Sequence, residues 1–212
     1  MADRLSIAEA GEEAARSALD RCVRGGGVVV FPADTVYGLA CDPLDSDAID
    51  RVHALKGRDE DKPSAVMFFS ALAMRGLVAT LGSRTRDALG VLLPGPVTAV
   101  VHNPERCYPL ACRADPERLG VRLIEGPLSG AASAVFQTSA NRSGEPPPRR
   151  VGDVDPEIGS RADLAIDGGE LRGRPSTVVD LTQIESDGEW RVLRAGVMGE
   201  DEIGRRLVTV LE

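Results

Sequence analysis

Hydrophobic positions along this chain fall into short apolar runs separated by stretches of helical period. Ser6 and Glu9 have the spacing of a capping box, and Ile7, Ala10, Ala14, Ala18 and Cys22 recur near one face. This predicts a helix to about Arg24, stopped by Gly25-Gly26-Gly27. The run "VVVF" (28–31) predicts a buried strand ended by Pro32, and "PADTVYGLACDP" after it reads as a loop. Ser46 is placed to cap a helix carrying Ile49, Val52 and Leu55, with Gly57 at C′. "SAVMFF" (64–69) predicts a second strand, and Ser70 opens a helix to about Val78. A helix over 84–92, a sharp turn at Pro94-Gly95-Pro96 and strands at 97–101 and 119–124 come next. "GPLSGAASAVF" predicts a helix of small residues and "QTSANRSGEPPPRR" a polar loop. Strands at 163–166, 177–181 and 190–194 precede a helix near 200–211.

Short strands alternating with helices argue an α/β fold, and the cluster of late strands argues a mixed sheet. The expectation is one domain over 1–212, with its core at about 20–198 and a C-terminal helix at about 200–211. Apolar residues make up 42% but aromatics only 3%, so Val, Leu, Ala and Ile must supply the core. The formal charge of 25 − 33 = −8 gives no global attraction to nucleic acid or anionic lipid. No apolar run approaches the ~20 residues that span a bilayer. The polar amphipathic start does not read as a signal peptide, so the expected setting is cytoplasmic, with Cys22, Cys41, Cys107 and Cys112 reduced. None of these forms C-x-x-C, and with only His53 and His102 beside them no zinc pattern, and no protein metal site, is expected.

Neither G-x-x-x-x-G-K-[ST] nor a well-placed G-x-G-x-x-G occurs, so any nucleotide must be held some other way. Lys56 and Arg58 sit where a helix ends. Local chemistry reads them either as cations favoured by the helix dipole or as ligands for oxyanions. Asp34, Thr35 and Tyr37 follow a buried strand directly, where α/β proteins place ligand groups, although Asp and Thr also bond their own backbone in loops. Thr138, Ser139, Asn141, Ser143 and Arg149 supply neutral donors and acceptors plus a cation. Arg122 interrupts the apolar "LGVRLI"; a charge there is either paired or on an exposed face, and Arg194 in "VLRAG" raises the same question. Cys41 reads as a small hydrophobe, His53 as solvent-facing or packing, and no Ser–His–Asp signature is present.

"FPADTVYGLACDP", "ALKGR", "LLPGPVT", "GVRL", "TSANRSG", "PSTVVDLT" and "VLRAG" occur in an order that resembles the YrdC-like family of threonylcarbamoyl-AMP synthases, over roughly residues 25–196. The resemblance implies a twisted, open mixed sheet with a large concave cleft. It implies that L-threonine, bicarbonate and ATP become threonylcarbamoyladenylate and pyrophosphate, for threonylcarbamoyladenosine in tRNA, with Mg²⁺ accompanying the triphosphate. The family pattern places catalytic roles on Lys56 and Arg58, threonine contacts on Thr35, Arg122, Ser139 and Ser176, and ATP contacts on Arg58, Lys62, Arg118, Asn141, Arg149 and Arg194. Partner proteins of tRNA modification would fit this role; direct RNA binding stays open. Gly126 falls in a segment where many relatives have a histidine, and Met67 stands where some relatives use one. Two alternatives share the fold: a related carbamoyl-adenylate-forming domain, and a non-catalytic RNA-binding or ribosome-assembly module.

Overall fold

A computed structural model describes residues 3–57, 59 and 61–211. In chain order the elements are β1 (Asp3–Ser6), α1 (Ile7–Ala10), α2 (Glu12–Arg24), β2 (Val29–Pro32), β3 (Tyr37–Cys41), α3 (Ser46–Lys56), β4 (Ala65–Phe68), α4 (Ala71–Val78), α5 (Ser83–Leu92), β5 (Val97–His102), α6 (Pro109–Cys112), β6 (Arg118–Leu123), β7 (Val135–Ser139), α7 (Pro156–Arg161), β8 (Leu164–Asp167), β9 (Thr177–Asp180), β10 (Arg191–Arg194) and α8 (Glu200–Leu211). The strands form one open sheet in the order β1-β8-β2-β3-β7-β4-β6-β5-β9-β10. It is mixed, as expected: β8 is parallel to β1 and β2, β4 to β6 and β5 to β9, while β3 and β7 are antiparallel to their neighbours.

The period-2 alternation of strand side chains sorts the core into two layers. Val66 and Phe68 of β4, Ala99 and Val101 of β5 and Leu119 and Val121 of β6 point to one face, where they meet Ile49, Met74, Leu89, Ile203 and Leu207 of the helices. Val29, Phe31, Met67 and Val135 point to the other, under Leu19 and Val23 of α2 and the loop residues Leu128 and Ala131. That second layer draws on no residue of β5, β6 or β9, so α2 covers only half of its face. Over the remaining half lie Thr98, Val100, Gly120, Arg122 and Val178, which floor an open cleft.

The structure departs from the sequence expectations in several places, among them residues 137–139, expected in a polar loop but part of β7. Ser6 ends a strand and makes no capping bond. Gly11, at φ 83°, breaks the expected long helix in two, and the second helix buries Ala15, Ala18, Leu19 and Val23 rather than Ala14 and Cys22. Asp45, not Ser46, caps α3, its carboxylate accepting from the Ala48 N–H at 3.0 Å. "YGLAC" is not loop but β3, every residue buried between β2 and β7. Gly38 is needed there because a Cβ would meet Phe31 at 2.8 Å. "GPLSGAASAVF" is no helix: Gly126 and Gly130 take positive φ, Asp20 ties down the amides of Ala132 and Ser133, and Val135 and Phe136 enter β7. Ser70 does cap α4, and Gly57 is left-handed at the end of α3 (φ 56°, ψ 39°).

Asp45→Ala should cost about 1 kcal/mol of unfolding free energy, whereas Ser6→Ala and Ser46→Ala should stay within about 0.5 kcal/mol, as measured by urea denaturation.

Candidate active site

The cleft has a volume of about 570 Å³. Of the residues expected to act, Thr35, Arg118, Arg122, Ser139, Asn141, Ser176 and Arg194 line it, brought together from the turn after β2, from β6, from β7 and the loop beyond it, and from both ends of the β9–β10 hairpin.

Arg122 sits on the sheet face inside the cleft and is 3% exposed. A guanidinium removed from water needs compensation. Its Nη2 donates to the Asp34 carboxylate, and its Nη1 donates to Gln137 Oε1 at 3.3 Å. The sequence alternatives of paired or exposed thus resolve as paired. The Nε is buried with no partner among the described residues, as are Asp34 Oδ2, Thr35 Oγ1, Ser64 Oγ and Asn141 Oδ1. Unpaired buried polar atoms cost roughly 1–3 kcal/mol each, so their concentration around one cavity marks a place that a polar ligand would satisfy.

Arg194 enters from the far end of the cleft. Its Nη2 donates to the Ser176 carbonyl at 2.9 Å and to Ser176 Oγ at 3.4 Å, and Ser176 Oγ lies 2.9 Å from Thr98 Oγ1. Among the described residues Arg194 meets no carboxylate. Burial first, and the nearby Arg122 charge second, hold its guanidinium below the usual value. Three guanidiniums therefore share one cleft, and of these Arg122 and Arg118 meet a carboxylate while Arg194 does not, among the described residues. Gly196 makes this arrangement possible: a Cβ there would fall 2.3 Å from the Ser176 carbonyl carbon and Thr177 N. The Val197 amide donates to the Pro175 carbonyl at 3.0 Å, holding the two segments together. Arg118, at the rim, is bonded to Asp180 at 2.9 Å, a buried carboxylate also shared with Arg191 at 3.0 Å.

Lys56 does not line the cleft. The end of α3 places its buried ammonium behind the wall, where it donates to the carbonyls of Ser139 and of Asn141 (2.6 Å), while the Ser143 amide donates to the Lys56 carbonyl at 2.9 Å. The Asn141 amide donates to the carbonyls of Arg142 (2.8 Å) and Glu145 (2.6 Å), so the loop is laced from both sides. Lys62 is exposed beside the cleft residue Pro63. Arg149 is also exposed, pairs with Glu170 at 2.8 Å and is not part of the lining. Arg58 lies outside the described residues.

Tyr37 is fully buried away from the cleft; its hydroxyl donates to the Gly169 carbonyl at 2.8 Å and accepts from the Gly168 amide, and burial pushes its pKa to about 12. Burial likewise pushes the Cys41 thiol up. His53 is buried, its ring tilted against Phe136 at 5.7 Å between centroids. Sequence reasoning did not place Gln137 or Thr98 in the site. A signal was available for both: Thr98 interrupts the apolar run of β5, and Gln137 follows Val135 and Phe136 where the apolar run of β7 turns polar.

A family model covering Sua5, YciO and YrdC, described as "Telomere recombination", matches residues 21–196. A relative from Nitrosococcus oceani named threonylcarbamoyl-AMP synthase is 35% identical over 168 residues, covering 76% of this chain and 89% of its own. The crystal structure of P. abyssi Sua5 complexed with L-threonine is 27% identical with a TM-score of 0.83; the match covers 97% of this chain but 60% of that longer one. The E. coli YciO crystal structure, at 22% identity and a TM-score of 0.80, shares the fold over 96% of this chain and all of its own.

Gly196→Ala should lower the melting temperature by several degrees, since backbone on both sides must move, whereas Gly76→Ala, with open space around it inside α4, should hold or raise it. Differential scanning calorimetry of the two variants checks the pair.

Proposed function

This chain belongs to the Sua5–YciO–YrdC family, and on that premise we propose that it joins L-threonine, bicarbonate and ATP into L-threonylcarbamoyladenylate, releasing pyrophosphate. The observation that carries this reading is the meeting of two guanidiniums, the buried Arg122 and the more exposed Arg194 that has no carboxylate partner among the described residues, in a single cleft ringed by polar atoms that the protein leaves unsatisfied. Threonine bears a carboxylate, an amine and a hydroxyl; ATP bears a polyanion. Arg122, Thr35, Ser139 and Ser176 suit the first, and Arg194, Asn141 and Arg118 suit the second.

The chemistry asks little proton transfer of the protein. The threonine amine adds to the carbon of bicarbonate, water leaves, and a carbamate forms. A carbamate oxygen then attacks the α-phosphorus, and the bond to the β-phosphate breaks with its electron pair going to pyrophosphate. Holding the two reactants in line and balancing charge in a partly dry cleft supplies the acceleration. This accords with a lining that, among the described residues, contains no histidine or cysteine. Lys56 acts in this reading as a positioning residue: its ammonium fixes the carbonyls of Ser139 and Asn141, whose side chains face substrate. Lys62 and Arg149, out of the lining, would reach only ligand groups that extend past the rim.

Mg²⁺ would arrive with the triphosphate, coordinated by phosphate oxygens and water. Among the described residues no group of three or more His, Cys, Asp or Glu side chains could hold a metal; of the carboxylates in the cleft lining, Asp115 lies within ion-pair range of Arg118, and Glu145 is exposed. None of the described helices is long and apolar enough to cross a membrane. The product, a reactive mixed anhydride, would pass to the tRNA-modifying step. With a charge of −8, the chain suits delivery through partner proteins better than tight binding of RNA by itself.

Purified protein with ATP, Mg²⁺ and bicarbonate should release pyrophosphate only when threonine is added; equal release without it would sink the assignment. Arg194→Ala should lower kcat/KM at least tenfold, about 1.4 kcal/mol or more of transition-state binding. Lys56→Met should lower turnover by a similar factor and also reduce the melting temperature, because two buried carbonyls lose their donor. Wild-type kinetics in either variant would remove that residue from the proposed machinery.

A further inference from the structure

Arg122 and Arg194 occupy the same cleft but differ in electrostatic state. The Arg122 guanidinium is almost fully buried, and both of its terminal nitrogens are already engaged, one by the Asp34 carboxylate and one by Gln137 Oε1. Only its Nε remains without a partner. Arg194 bonds only to the neutral Ser176 and meets no carboxylate among the described residues. At Arg122 the cation deep in the cleft is thus neutralised by the protein, as Arg118 is at the rim by Asp180, and at Arg194 it is not. A net-neutral group carrying its own carboxylate, such as a zwitterionic amino acid, suits the Arg122 end. It can meet the side of the guanidinium without displacing the internal counter-charge. A polyanion gains little there and much at Arg194, where nothing opposes it.

Asp34 is the residue that creates this division. It stands one position before Thr35, in the turn between β2 and β3, and its Oδ1 reaches across to β6. Its second oxygen is buried and unpartnered, so the carboxylate is held for Arg122 rather than for the backbone of its own turn. We propose that Asp34 is a specificity-determining positioning residue, which orients Arg122 and cancels its charge so that this end of the cleft takes the amino acid and turns away phosphate anions. This rests on the reading of the cleft as a site for threonine and ATP.

Asp34→Asn keeps the shape and removes the charge, while Asp34→Glu keeps the charge on a longer stem. With Asp34→Asn, the KM for threonine should rise at least tenfold while the KM for ATP stays within twofold. Inorganic pyrophosphate should become an inhibitor competitive with threonine, at least ten times stronger than for the wild type. Asp34→Glu should restore most of the discrimination against pyrophosphate. A purely structural role would lower the melting temperature and damage both KM values together, without new competition by pyrophosphate. Unchanged threonine KM, a parallel rise in ATP KM, or no gain in pyrophosphate inhibition in Asp34→Asn would each overturn the proposal. Direct titration of pyrophosphate into both proteins by calorimetry reads the charge partition without turnover. A wild type that needs no threonine would therefore defeat the functional reading, while equal pyrophosphate affinity in wild type and Asp34→Asn would defeat this one.

Discussion

A positive charge held inside a sheet is the constraint around which this molecule is arranged. Arg122 points from β6 into the sheet face that floors the cleft, and a buried guanidinium left alone would cost several kcal/mol. Its compensation comes from two other strands' territory: Asp34 beside β2 and Gln137 on β7. Those contacts require β6, β4, β7, β3 and β2 to stand in their observed order and register, since a one-residue slip of β7 would turn Gln137 to the opposite face. Site and sheet therefore constrain one another. The helix that seals the same face farther along, α2, stops short of this region, and the cavity is the part of the sheet that no helix roofs.

The lining also explains why small residues recur on the floor. Ala65 and Gly120 are paired in register, and a Cβ on Gly120 would come within 3.3 Å of Ala65. The floor has no room to spare there, and its shallow relief leaves space for a ligand above. Gly196 acts similarly on another wall, letting the segment after β10 lie directly against the backbone of Ser176. Backbone proximity, rather than side-chain chemistry, fixes where Ser176 and Arg194 stand relative to each other.

Much of this was legible beforehand. The buried strands announced themselves by short apolar runs, and the helix stops at Gly25 and Gly57 by glycine. Arg122 drew notice because a charge broke an apolar strand. Other features depended on contacts far away in sequence. "YGLAC" looks like loop until Phe31 is known to lie over Gly38, and the small-residue stretch before β7 looks helical until Asp20 of α2 claims its amides. Lys56 illustrates the limit most clearly. Its position at a helix end and its charge fitted a phosphate ligand, but the carbonyls it serves belong to residues 83 and 85 positions away. No local pattern encodes such a meeting.

The pairing of β1 has a further consequence. Asp3 stands opposite Leu164, and β8 is the strand that lies between β1 and β2. During synthesis β1 leaves the ribosome roughly 160 residues before β8 and must wait for it before it finds its place. At about 5–20 residues per second that interval is on the order of ten seconds. For that time the outer edge of β2 is bare, so the nascent chain carries an open hydrogen-bonding edge that a chaperone, or another nascent chain, can reach before β8 does.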